Sequence, residues 1–201
     1  EISACLVGSE MCIRDRCKTK ISAQHLVLEV LNGILYVFTF FIAGFSVPTV
    51  LLCLLFSALL ALSLIDFKTY EIPVGFQYVI FVLAVCRTIL DRANWSEHVI
   101  GFFAVSVVLY LMYVISKGAA IGGGDVKLMA VCGLFVGWKL IIFAFLLGCI
   151  VGSVVHIIRM KLSGESHVLA MGPYLSIGVF VAALWGNQIL TWYLGILGIT
   201  L

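Results

Sequence analysis

Two aspartates stand at the ends of very apolar stretches, Asp66 in LSLIDFKTYEIP and Asp125 in AIGGGDVKLM. A carboxylate in a lipid-facing segment costs on the order of 2.5–3.5 kcal/mol even on mild insertion scales, so an acid there is a functional candidate. An acid pair suits peptide hydrolysis. One carboxylate, ionised, activates water, while the other, protonated, polarises the carbonyl. Like charges a few ångströms apart do not both ionise cheaply, so such a pair shares a proton and titrates as a unit. A low-dielectric lipid boundary strengthens that coupling, and a helix end supplies the water.

The neighbouring residues fit this chemistry. Gly122, Gly123 and Gly124 precede Asp125; glycine accepts unusual backbone angles and close approach, so an extended substrate segment is expected to pair with that backbone. Irregular backbone at membrane depth is tolerated only where protein buries it or water reaches it. Asp66 is followed by Lys68 and then by Ile72-Pro73, and Pro73 opens the next apolar run, which keeps the connection short. Lys68 and Lys127 each sit two residues after an acid. They read as membrane-face anchors that also tune the acids, shaping the site without being catalytic.

The elements that must position these acids are apolar runs at 26–44, 48–65, 74–90, 99–116, 126–138, 140–158 and 168–201. Several approach the ~20 residues that cross a bilayer. The run at 126–138 is short, and is expected to sit tilted or half-buried by its neighbours. The last run is long enough for one tilted helix and a short re-entrant piece. The fold class is all-α: a polytopic membrane helix bundle of about seven spans, or six. Pro48, Pro73 and Pro173 each stand where a run begins, the place where a missing amide hydrogen costs least. Arg16, Lys18, Lys20, Lys68, Lys117, Lys127, Arg159 and Lys161 fall on one side of such a bundle, against Arg87, Arg92 and Lys139 on the other. The positive-inside rule then makes the N-terminus cytoplasmic and puts Asp66 and Asp125, 59 positions apart, at one membrane depth.

Composition agrees. The chain is 63% hydrophobic and 11% charged, where soluble domains are about half apolar and a quarter charged. A net charge of +2 spread over short loops gives no case for nucleic acid. Cys53, Cys86, Cys132 and Cys149 lie inside apolar runs and read as small core residues, not as a disulfide framework. Residues 1–16 share no pattern with the rest of the chain and read as a non-native scar, leaving 17–25 as a short cytoplasmic remnant and 26–201 as the membrane domain.

The two acid motifs, D-x-K-x-x-x-I-P at Asp66–Pro73 and G-x-G-D-V-K-L-M at Gly122–Met129, resemble those of the prepilin peptidase family, integral membrane aspartyl proteases of the GxGD type. The tail GPYLSIGVFVAALWG (Gly172–Gly186) resembles that family's closing segment, and the likeness covers roughly residues 17–190. The resemblance implies a multi-pass protein of the bacterial inner membrane that cuts the basic leader from type IV prepilins or pseudopilins at the cytoplasmic face. Asp66 and Asp125 would be the catalytic pair, with Gly122 and Gly124 shaping the second site, and cleavage would need no metal or nucleotide.

CKTKISAQHLVLEVLNG (Cys17–Gly33) resembles the sequence just after the cytoplasmic domain of bifunctional members. There, two CxxC pairs bind zinc beside an S-adenosylmethionine-dependent N-methyltransferase function, and four thiolates suit tetrahedral zinc. Only Cys17 matches, as a remnant of the last ligand, so the chain reads as one that has lost its start and with it a basis for methylation. Glu29 and Asn32, one turn apart in the first run, are expected to hydrogen-bond structurally. His156 reads as a satisfied or interfacial histidine, and His25 and His167 as loop residues. Trp95, Trp138, Trp185 and Trp192 suit interfacial belts, and Gly148 and Gly152 suit close helix packing. Two other readings compete: a peptidase for archaeal flagellin-like precursors, and a small proton- or cation-coupled transporter. The transporter predicts internal repeats and acids near the midplane; no repeat is evident.

Overall fold

The computed structural model describes residues 23–118, 121–163 and 170–196. The described residues form helices without strands: α1 (Ala23–Ala43), α2 (Val47–Thr69), α3 (Val74–Leu90), a 3₁₀ turn (Arg92–Asn94), α4 (Trp95–Ala104), α5 (Ser106–Ile115), α6 (Gly123–Val136), α7 (Trp138–Ser163) and α8 (Gly172–Ile196). The 3₁₀ turn, α4 and α5 run on as one apolar rod, Arg92–Ile115. It is one of five segments long and apolar enough to cross a membrane, the others lying in α1, α2, α7 and α8. Helix is the form this composition demands, because lipid offers the backbone no hydrogen-bond partner. The chain is a multi-pass membrane protein.

The local signals that start and stop the helices are explicit. Ser46 caps α2, its hydroxyl accepting from the Thr49 amide at 3.3 Å, with Pro48 in the first turn where its missing N–H is harmless. Pro73 takes the cap position of α3. A single residue, Gly137 at φ +88°, separates α6 from α7, a left-handed conformation that favours glycine.

Helix α6 is the centre. Its fourteen residues rise only about 21 Å, short of the ~30 Å apolar layer, and neighbours cover it on all sides: Val126, Leu128, Met129, Ala130, Val131, Cys132, Gly133 and Phe135 are buried. This is the half-buried short run of the sequence reading, more deeply enclosed than expected. Gly101 of α4 crosses it at Gly133 so closely that a Cβ on either would overlap the other's backbone. On the other flank, Gly148 of α7 lies against the Leu175 backbone of α8 and Gly152 against the Tyr174 ring, the close packing their spacing predicted. Helix α1 lies outermost, with only 6% of its apolar window buried.

Several expectations need correction. Glu29 faces outward from α1, within a segment apolar enough to cross a membrane, and its side chain bonds to none of the described residues; Asn32 bonds inward, its Oδ1 accepting from the Ser57 hydroxyl at 2.8 Å. Trp185 packs against Phe38 and Phe180, and its neighbour Gly186 meets Leu140, so it sits toward the end of the bundle where α7 begins, with its ring turned inward. Cys86 is exposed on α3, since that face of the helix has no neighbour to pack against, while Cys53 and Cys132 are buried as small core residues. Of the last run, the described part is one helix, Gly172–Ile196, and the expected re-entrant piece falls outside the described residues. His25, expected in a loop, falls in the first turn of α1, because the helix starts before the apolar run; residues 1–16, Cys17 and His167 lie outside the described residues, as does the side chain of His25.

Candidate active site

Asp66 belongs to the last turn of α2 and is not in the connection to α3, because α2 continues past the apolar run to Thr69. Its residue is 4% exposed. Burial of that order needs a compensating donor, and it comes from a distant element: the Gly172 amide, in the first turn of α8, donates to Asp66 Oδ2 at 2.9 Å. First-turn amides have no partner inside their own helix and carry the positive end of its dipole, so a carboxylate there is favoured. A Cβ on residue 172 would lie 2.6 Å from Asp66 Oδ2. Only glycine lets α8 approach the acid this closely.

Asp125 lies in the first turn of α6, three residues after the cap residue Gly122. The Gly122 amide lies close enough to act on the Asp125 carboxylate, as a side chain one turn inside a helix does on its cap. Asp125 Oδ1 remains buried with no hydrogen-bond partner among the described residues. Asp66 is the neighbouring charge that acts electrostatically on Asp125. The end of α2 and the starts of α6 and α8 therefore bring together two carboxyl groups from remote parts of the chain at one end of the bundle.

The glycines do something other than predicted. Gly123 and Gly124 are helical, so they offer no extended edge to a substrate; Gly122 alone keeps extended backbone, at φ −70° and ψ 138°. Gly124 instead lets the two motifs interlock. A Cβ on it would stand 2.9 Å from Ile72 Cβ, and its carbonyl accepts from the buried Gln77 amide at 3.1 Å. Ile72-Pro73 thus leads α3 directly across the start of α6. Lys68 and Lys127 are exposed, one in the last turn of α2 and one in the first half of α6. Gln77 and Gly172 escaped the sequence reading of the site. A lone amide in the apolar run 74–90 was the available signal for the first; the second appeared only as part of the tail.

An apolar groove of about 320 Å³ runs between α1, α2 and α8, bounded by Leu35, Phe56, Ser63, Pro173 and Ile177. It ends beside the acid: Ser63 is one turn before Asp66, and Pro173 adjoins Gly172.

Residues 53–157 match the model of the type IV leader peptidase family, more than half of the chain. The chain belongs to that family. Among curated proteins it is similar to a prepilin leader peptidase/N-methyltransferase of Stutzerimonas stutzeri, 31% identical over an alignment of 186 residues that covers 89% of this chain and 64% of the relative. Similar proteins of the same description occur in Pseudomonas putida, 29% identical with 96% and 70% covered, and Pseudomonas aeruginosa, 30% identical with 90% and 65% covered. The chain therefore spans about two thirds of the length of these leader peptidases. No solved structure matches it. Both acid motifs fall inside the stretch shared with the leader peptidase family.

Proposed function

We propose that this chain is an endopeptidase of the bacterial inner membrane that removes the leader from type IV prepilins or pseudopilins at the cytoplasmic face, with Asp66 and Asp125 as its catalytic pair. The observation that carries this reading is the meeting of the two aspartates at one end of the bundle, in a chain of the leader peptidase family. Asp66, served by the Gly172 amide, acts as the ionised partner and takes a proton from the attacking water. Asp125, whose Oδ1 lacks a donor, holds the shared proton and presents it to the scissile carbonyl oxygen. The hydroxide oxygen bonds to the carbonyl carbon, and the tetrahedral intermediate collapses as the amide nitrogen leaves with the proton gained by Asp66. The apolar groove beside Asp66 offers a resting place for the apolar segment that follows a prepilin leader. Lys68, Lys127 and Pro73 frame the site.

The reading covers cleavage, for which no cofactor is invoked. Zinc binding and methyl transfer with S-adenosylmethionine would fall to Cys17 and to sequence outside the described residues, and are not assigned to this chain. The transporter reading loses ground because both acids lie at a helix end and not at the midplane.

The test is co-expression with a prepilin in cells lacking other leader peptidases, followed by N-terminal sequencing of the product. Cleavage after the leader that Asp66→Asn and Asp125→Asn each abolish supports the proposal. Cleavage that survives either substitution overturns the acid pair, and absence of cleavage by a folded, inserted chain overturns the peptidase reading for this chain.

A further inference from the structure

The end of the bundle away from the acids holds an open cleft of about 430 Å³ between α2, α3, α4, α6, α7 and α8. Its lining is charged, which is unusual in a chain with so few charges: Arg87 and Lys139 bring two positive groups, Asp91 and Glu97 two negative ones. Lys139 Nζ lies 3.2 Å from Glu97 Oε1, but both side chains are about two-fifths exposed, so water screens the pair and it opens at little cost. Asp91 accepts from the Asn94 amide at 3.1 Å and faces His98 Nε2 at 3.5 Å. The Arg87 side chain makes no ion pair or hydrogen bond among the described residues.

A partly buried guanidinium at the rim of an apolar layer favours an anionic partner, and its planar fork fits two oxygens of a phosphate. The two carboxylates in the same cleft disfavour a ligand that is only negative. A ligand with a phosphate and a protonated amine on one short linker meets both halves of the lining, since an ammonium offers three donors to carboxylate acceptors. Leu52, Leu140 and Ala183 line the same cleft and provide apolar surface for the start of an acyl-bearing backbone. We propose that this cleft binds a phosphoethanolamine group, the phosphate on Arg87 and the ammonium at Glu97 and Asp91, as the headgroup of a zwitterionic membrane lipid. Phe135 and Gly137 line the cleft too, so an occupant braces the far end of the helix that carries Asp125.

Native mass spectrometry of the detergent-solubilised chain, titrated separately with phosphatidylethanolamine, phosphatidylcholine and phosphatidylglycerol of matched acyl chains, tests this. The ethanolamine lipid is expected to bind about tenfold more tightly than either other, the scale of one charge-assisted hydrogen bond. The choline lipid keeps the charges but cannot donate hydrogen bonds, and the glycerol lipid lacks the amine. Arg87→Gln and Glu97→Gln are each expected to erase the preference while leaving helical content unchanged. Displacement of the lipid by soluble O-phosphoethanolamine would show that the free compound also occupies the cleft; retention would assign the site to lipid alone. Equal binding of the three lipids, or an undiminished ethanolamine preference in both folded variants, overturns the proposal. Should a variant fail to fold, the selectivity of the wild-type chain decides.

Discussion

Gly172 governs Asp66 through the side chain it lacks. An added Cβ would press on the carboxylate oxygen at 2.6 Å, and both the end of α2 and the start of α8 would have to move. Overpacking of this kind costs about 1–3 kcal/mol, a load that a helical bundle bears while its active site does not. Gly172→Ala is therefore expected to insert and stay helical, yet to cleave a prepilin at least about tenfold more slowly, because displacing a catalytic group by a fraction of an ångström is severe. Near-normal cleavage by this variant would remove the Gly172 amide from the site. The pair also dictates the pH profile. The proposed mechanism needs one carboxyl ionised and one protonated, so activity should be bell-shaped, falling on the acid side as the pair gains its second proton and on the alkaline side as it loses the shared one. A rate that rises to a plateau with pH, measured in detergent with purified prepilin, would mean that only one acid titrates in the reaction.

At the scale of elements, the question is what holds α6, since Asp125 rides on its first turn. The answer lies at its other end. Buried His98, at the start of the rod, places Nδ1 2.9 Å from the Leu134 carbonyl, and the Thr88 hydroxyl of α3 approaches the same oxygen at 3.5 Å. Asp91 on the far side of the ring helps orient it, and the Gly101–Gly133 crossing sets the distance. His98→Ala leaves a buried carbonyl short of a donor, worth about 1–3 kcal/mol. The expected outcome is a lowered thermal midpoint and a reduced kcat with KM little changed, because His98 lies at the end of the bundle away from the acids; a change confined to KM would contradict a positioning role. Sequence reading saw α6 as a short, enclosed run but missed this clamp. Its apolar run began at residue 99, one place after the histidine, and nothing local marks His98 as facing a carbonyl 36 positions onward. The acids stood out because a carboxylate at the end of an apolar run, Asp125 beside glycines and Asp66 ahead of Ile72-Pro73, is conspicuous in a 63% hydrophobic sequence. Gly172 was not, since its bond to Asp66 spans 106 positions. Gly123 and Gly124 were expected to expose backbone to an extended substrate; they are helical, and the close approach that Gly124 permits is to Ile72 of the same chain.

For the whole molecule, the alternation of helices sorts the charges by end. Asp66, Lys68 and Lys117 lie at the ends of α2 and α5, Asp125 and Lys127 at the start of α6, and Arg159 and Lys161 toward the end of α7. Arg87, Arg92, Glu97 and Lys139 belong to the opposite end, where α3 finishes and α4 and α7 begin. The packing fixes this register independently of charge. Gly124 meets Gln77 at the acid end, and Leu134 meets Thr88 at the other, so α3 and α6 run parallel. Gly148 opposite Leu175 and Leu140 opposite Gly186 make α7 and α8 antiparallel. Only the direction of the bundle in the membrane is left to electrostatics. Basic residues in short connections favour the cytoplasmic side, so the acid end is expected there, where the leader of the proposed substrate would arrive. Single cysteines at Lys117 and Arg92, introduced into a chain whose native cysteines are replaced by serine or alanine, decide the direction. A membrane-impermeant maleimide applied to intact cells should label position 92 and spare position 117 until the membrane is opened. The reverse pattern would turn the acids outward and separate them from any leader held in the cytoplasm. Labelling of both positions in intact cells would break the parallel and antiparallel register on which the acid site depends.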